Sequence, residues 1–204
     1  MRIILVIILC LCTAGELFAA EDWAYELSPE AKQIYKKKII QYPCENIPAL
    51  LQQNKTQDLY YTIRDAGIFK TKSCGTIIQR HADQLKRMLG VKDAVAFYFY
   101  KLGDNQQLKI LETDFDNEAK ATGDYVVVDL FGYLDDWDIS GVRLVRHAAY
   151  SDGAASELLC SAIMWRRYLF GEKSFKENWY KAGRNEKINQ RILDYFYETC
   201  RVAP

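Results

Sequence analysis

From Asp138 to Phe170 the apolar residues recur at helical spacing in two successive runs. Ile139, Val142, Val145 and Ala149 fall on one face, while Arg143, Arg146 and the acidic approach Asp135-Asp136 stay on the wet side. The Asp138 carboxylate is expected to cap a helix beginning at Ile139, because a side-chain oxygen there accepts from the unpaired amides of the first turn. Ser151-Asp152-Gly153 breaks that helix and caps the next. Leu158, Ala162, Trp165 and Leu169 then share a face, with Leu159, Ile163 and Phe170 beside it, and Gly171 sits where a helix stops. The pattern predicts two antiparallel helices joined by a tight turn. Such a pair cannot bury both apolar faces by itself, so it needs further helices on either side.

The rest of the chain supplies them. Ser28-Pro29-Glu30 starts a helix running to about Gln41, with Pro29 at the first helical position, where a missing amide costs nothing. Tyr42-Pro43 ends it. Pro48 opens a short helix through Gln53, and Thr56 caps another that carries Leu59, Tyr60 and Ile63 before Gly67. Ile77, Ile78, Leu85, Met88 and Leu89 describe a helix closed by Gly90. Asp114 to Gly123 reads as polar linker, and Tyr125 to Leu134 as an apolar helix, although Val126-Val127-Val128 also suits a strand. Ser174 starts a short helix with Phe175, Trp179 and Tyr180. Gly183-Arg184-Asn185 reads as a turn, with Asn185 capping a last helix whose Ile188, Ile192 and Tyr195 form one stripe beside Leu193, Phe196 and Cys200.

Residues 92 to 113 are two-sided. Val95-Ala96-Phe97-Tyr98-Phe99-Tyr100 has the composition of a strand, and Gly103-Asp104-Asn105 that of a hairpin turn. A hairpin strand with one wet face alternates polar with apolar, whereas this run is apolar throughout, which a buried helix also explains. The stretch from Ala94 to Leu111, with Leu102-Gly103-Asp104 at its centre, resembles the junction between two helices of HEAT-like repeats, and Val142 to Met164 resembles such a unit more loosely. The resemblance implies α-on-α stacking and no activity. No fixed period runs through the chain, so the expected fold is all-α: an irregular, HEAT-like array of antiparallel helix pairs, with residues 92 to 113 as two helices.

Composition adds compartment. Arg2, the apolar run Ile3 to Cys12 and small residues around Ala14, Ala19 and Ala20 read as a secretory signal over residues 1–20, with an uncleaved N-terminal helix as the other reading. Residues 21–204 are then expected to form a single domain, long enough for a sizeable core. Lys and Arg together number 27, as do Asp and Glu, so bulk charge points to neither nucleic acid nor an anionic membrane, though a local patch can still act. Cys44, Cys74, Cys160 and Cys200 remain after export. An even number in an oxidising compartment favours two disulfides among three connectivities; Cys44–Cys74 and Cys160–Cys200 are preferred because each joins neighbouring helices across a short loop. No cysteine pair is C-x-x-C, and neither of the two histidines lies near one, so a zinc site is not expected.

Signals for chemistry are sparse. Cys74 with His81 is the nearest approach to a thiol and its base, but about 10 Å of helical rise separates their backbones. His147 reads as a packed or surface histidine. Asp114-x-Asp116-x-Glu118 imitates half a calcium loop, yet the sixth position is Ala119 and the twelfth Tyr125. No cofactor or metal is therefore expected, and phosphate loops and nucleophile elbows are absent. Two candidates for recognition remain: the acidic turn Asp135-Asp136-Trp137-Asp138, and the aromatic residues Tyr60, Tyr61, Trp179 and Tyr180. The expectation is an exported, periplasmic or secreted module that binds another protein, an immunity or inhibitor protein against an envelope-acting toxin fitting best. A small hydrolase using carboxylates such as Asp124, Asp129 and Glu157, or a structural subunit of an envelope complex, are the alternatives.

Overall fold

The computed structural model describes residues 43–118, 126–134, 136–150 and 153–200. The signal segment, the helix expected from Pro29 to Gln41, Asp124 and Asp135 lie outside them. After a 3-10 turn at Cys44–Asn46 come eleven α-helices among the described residues: α1 (Ile47–Gln52), α2 (Thr56–Ile68), α3 (Cys74–Arg80), α4 (Ala82–Leu85), α5 (Val91–Lys101), α6 (Gln106–Glu118), α7 (Val126–Gly132), α8 (Trp137–Tyr150), α9 (Gly153–Phe170), α10 (Glu172–Asn185) and α11 (Gln190–Thr199). No strand occurs among the described residues, so the fold is all-α and the stretch 92 to 113 is a helix pair. Its turn follows the sequence closely. Gly103 takes φ +106°, a conformation without steric cost only for glycine, and Asp104 accepts from the Gln106 amide at 3.1 Å and the Gln107 side chain at 2.9 Å to start α6.

The hub is α7, an element shorter than the pair on which the pattern centres. Every described side chain from Val127 to Leu134 is buried, and the helix meets α5, α6, α8 and α9. On one side α2 packs on α5; on the other α8 packs mainly on α10, and α9 on α7. Two glycines set these crossings. A Cβ on Gly67 would lie 2.9 Å from the Phe97 ring, and one on Gly132 would lie 2.6 Å from the Ala162 Cα. Gly67 therefore admits α5 instead of ending α2, which runs on to Ile68. Both expected disulfides are present, Cys44–Cys74 and Cys160–Cys200, tying α3 to the opening turn and α11 to α9.

Several local expectations are corrected. Lys55, not Thr56, precedes α2 as its cap residue, with no side-chain cap bond. The helix expected through 77–89 breaks at His81 into α3 and α4. α6 continues through Asp114 to Glu118, because its carboxylates find cations: Lys92 with Asp114 at 2.9 Å, and Arg143 with Glu112 at 2.8 Å. The buried face of α8 is Ser140, Gly141, Leu144, Val145, His147 and Ala148, about one position round from the expected stripe, since the Trp137 indole lies over Gly141. α10 absorbs Gly183, where a Cβ would run into the Leu193 side chain; Asn189, accepting from the Arg191 amide at 2.9 Å, caps α11 in place of Asn185. Tyr195 points outward, and Leu193, Phe196 and Tyr197 form the buried stripe of α11.

Candidate functional site

The densest chemistry in the described chain is a buried charge network where α2, α7 and α9 meet. Helical spacing puts Tyr60, Arg64 and Asp65 of α2 toward α7, whose Asp129 and Tyr133 lie one turn apart. Arg64 donates from Nε to Asp65 Oδ1 at 2.9 Å and from Nη1 to Asp129 Oδ2 at 2.9 Å. The Tyr60 hydroxyl donates to the same Asp129 oxygen at 3.0 Å, and Ser161 of α9 donates to Oδ1 at 3.2 Å. The rings of Tyr61, Tyr133 and Tyr60 surround the guanidinium at 4.8, 5.4 and 5.8 Å. One cation thus serves two carboxylates in a dry setting, the arrangement in which a charge is tolerated only when well paired. Burial, opposed by Arg64, holds the Asp65 carboxyl above its ordinary range. Burial and then the Asp129 charge push the Tyr60 hydroxyl well above its own, which keeps it a donor. Both Asp129 oxygens are engaged, so this carboxylate holds three helices together instead of offering a base.

A second network closes the other end of α7. Arg166, 1 % exposed, donates to the Phe131 and Leu134 carbonyls at 3.1 and 2.7 Å, and Lys101 donates to the Tyr133 carbonyl at 3.0 Å. These carbonyls lie in the last turn of α7 and just beyond it, where cations are favoured twice over, by hydrogen bonding and by the helix dipole. The Arg166 guanidinium also lies 4.3 Å from the Trp137 ring centroid.

The residues singled out in the sequence divide between core and surface. Trp179 is fully buried; its indole N–H donates to the Leu193 carbonyl at 3.1 Å and its ring stacks on Phe175 at 5.7 Å. Tyr60 belongs to the charge network. Neither presents a recognition surface, which corrects that part of the expectation: at helical spacing both face the core. Tyr61 is 38 % exposed and accepts from Gln57 at 3.3 Å, and Tyr180 donates to Asp194 at 2.9 Å at the edge of α10. Trp137 is half-buried between Arg166 and Phe175, leaving Asp136 and Asp138 as the exposed part of the acidic turn. The cap of α8 is Asp136, not Asp138: its Oδ1 accepts from the Asp138 amide at 2.8 Å and the Ile139 amide at 3.3 Å.

The candidates for catalysis are occupied by structure. Cys74 is in a disulfide. His147 is buried, with its ring edge-on to Phe115 at 5.8 Å, and burial lowers its pKa to about 4. Glu157 is exposed on α9 and does not belong to the network around Asp129. No group of histidine, cysteine and carboxylate residues with the geometry of a metal site occurs among the described residues. Arg64, Asp65, Ser161, Lys101 and Arg166 escaped the sequence reading. Their signal was present in part, as charged residues beside apolar runs: Lys101 after Tyr100, Arg166 after Trp165. No family model matches the chain, and neither a curated protein nor a solved structure with significant similarity to it was found.

Proposed function

We propose that this chain is an exported module that binds another protein, best read as a periplasmic immunity or inhibitor protein against an envelope-acting toxin or enzyme. The observation that carries the reading is how the reactive side chains are used. Cys74, His147 and Asp129 are each consumed by a disulfide, the core or a charge network, whereas Tyr61, Tyr150, Tyr195 and Asp136 remain exposed on a helical fold that carries two disulfides. Rigid helices carrying exposed tyrosines and charge supply contact area at small ordering cost. Export is supported by the two disulfides. HEAT-like character belongs to the same proposal, with α5 and α6 as its clearest unit.

The test is affinity capture from a periplasmic extract, followed by association rates at two salt concentrations for the wild type and for Asp136→Asn. Asparagine keeps the cap of α8 and removes the charge, so it separates recognition from folding, which Asp136→Lys does not. Slower association with an unchanged melting temperature supports a partner with a basic patch at this turn. Unchanged rates and salt dependence reduce the turn to a helix cap, and failure to retain any specific protein counts against the reading as a whole.

A further inference from the structure

We propose that residues 70–92, comprising α3, α4 and the turn after them, form a docking surface for an anionic lipid bilayer, with Leu89 entering the interface. Lys70, Lys72, Arg80, Lys86, Arg87 and Lys92 lie in this stretch with a single carboxylate, Asp83, in a chain whose formal charge is zero. Lys92 is taken by Asp114. Lys72, Arg80, Lys86 and Arg87 are exposed and make no ion pair among the described residues. The cations of α10 differ: Glu172 and Glu177 are interleaved with Lys173, Lys176 and Lys181 on that helix.

The turn gives this charge a shape. Leu85 is fully buried and Met88 packs against the core, so they anchor the segment, while Lys86, Arg87 and Leu89 point outward, Leu89 at 67 % exposed. The Arg87 and Met88 amides donate to the Gln84 and Leu85 carbonyls at 3.2 and 3.1 Å, and Gly90 at φ +74° turns the chain into α5. The Cys44–Cys74 bond fixes the start of α3. Two exposed cations just before a protruding leucine suit a bilayer surface, the cations at the phosphates and the leucine at the acyl boundary. An acidic protein would satisfy the charge equally, but protein hot spots are built on aromatic side chains, and this stretch contains no Phe, Tyr or Trp. The surface stands independently of the protein-partner reading.

Cosedimentation of the disulfide-intact protein with vesicles containing phosphatidylglycerol, and with pure phosphatidylcholine vesicles, tests it at low and high salt. Binding is expected only to the anionic vesicles, weakening with salt. Lys86→Glu with Arg87→Glu should lower it by about 25-fold or more, at roughly fivefold per cation, and Leu89→Ser by roughly tenfold with the salt dependence kept. Lys173→Glu with Lys181→Glu, the same charge change on α10, should leave binding unchanged. Glycerol phosphate at matched ionic strength should not displace the protein. The proposal is overturned by absence of binding to anionic vesicles, by equal loss in the α10 variant, by displacement with the free headgroup, or by an acidic protein captured through Lys86 and Arg87 without vesicle binding.

Discussion

Replacing Gly132 with alanine should destabilise the fold at its hub. The added Cβ would sit 2.6 Å from the Ala162 Cα, 2.8 Å from its carbonyl oxygen and 3.0 Å from its Cβ. Two of the three are main-chain atoms, so no rotamer change relieves the contact, and α7 and α9 must separate by about 1 Å to restore ordinary van der Waals distance. That movement pulls on the bonds on either side of the contact, Ser161 to Asp129 and Arg166 to the Phe131 and Leu134 carbonyls. Overpacking costs about 1–3 kcal/mol, and weakening a hydrogen bond to a charged group adds about 1.5–3 kcal/mol where it is lost. Alanine's better helix propensity returns about 1 kcal/mol. The net loss is about 2–4 kcal/mol, on the order of 5–15 °C in melting temperature for a domain of this size. Urea unfolding and thermal melts followed by circular dichroism, with the disulfides intact, measure it. Gly75→Ala is the control, because its Cβ would meet only the Tyr98 hydroxyl, at 3.4 Å, and it should be neutral or slightly stabilising. Adding Ala162→Gly to Gly132→Ala should restore little, since the Cα and carbonyl contacts persist. A Gly132→Ala protein as stable as the wild type would refute the close approach of α7 and α9.

The remaining predictions concern the buried charges, His147 and the cysteines. Asp129→Ala leaves Arg64 with one carboxylate in a dry site and should cost about 3–5 kcal/mol in urea unfolding, while Arg64→Leu with Asp129→Leu should cost less than the sum of the two single changes. His147, held to about 4 from 6.5 by burial, resists the proton that the unfolded chain accepts near 6.5, so its effect is to lower stability as pH falls from about 6.5 toward 4. The loss amounts to about 3 kcal/mol; it should be smaller in His147→Leu, and unfolding curves at pH 7 and 4.5 compare the two. Asp65 works in the opposite direction, because a raised carboxyl pKa favours the folded state as pH falls through it. Unreduced digests should yield peptides joining Cys44 to Cys74 and Cys160 to Cys200, and a stoichiometric thiol titre or crossed pairing would contradict the fold.

Helices were legible in this sequence wherever period and punctuation agreed. Gly103-Asp104 marks the turn between α5 and α6 because one residue supplies a left-handed backbone and the next a cap. Cysteine pairing was legible because short loops between neighbouring helices leave few geometrically reasonable partners. Faces were harder to read. On α8, Gly141 is buried because Trp137 folds over it, and no periodicity of apolar residues records that. Gly67 and Gly183 look like stops in a one-dimensional reading but serve close approach by Phe97 and Leu193 from other segments. The charge network was the least legible part. Its central bond spans a separation of 65 residues, and each of its members resembles a surface residue until its partner is known. Exposure was only partly legible: Asp136 and Tyr61 are on the surface, whereas Tyr60 and Trp179 complete the interior.

The two disulfides also divide the chain mechanically. Each closes a local loop, with partners 30 and 40 residues apart, and the two loops lie at opposite ends of the described chain. Tension applied through the ends passes across both sulfur bridges and cannot draw out the residues inside them. Among the described residues, the segment between Cys74 and Cys160, which contains α7, is the part free to extend, by about 300 Å of contour at roughly 3.5 Å per residue, while Arg64 and Arg166, the cations of its two networks, sit inside the closed loops. Reduction releases a further contour of about 250 Å. The hub is therefore the part of the described chain that bears load in the oxidised protein, and a pulling trace should show its rupture as the main event, with the extra length appearing only after a reductant is added.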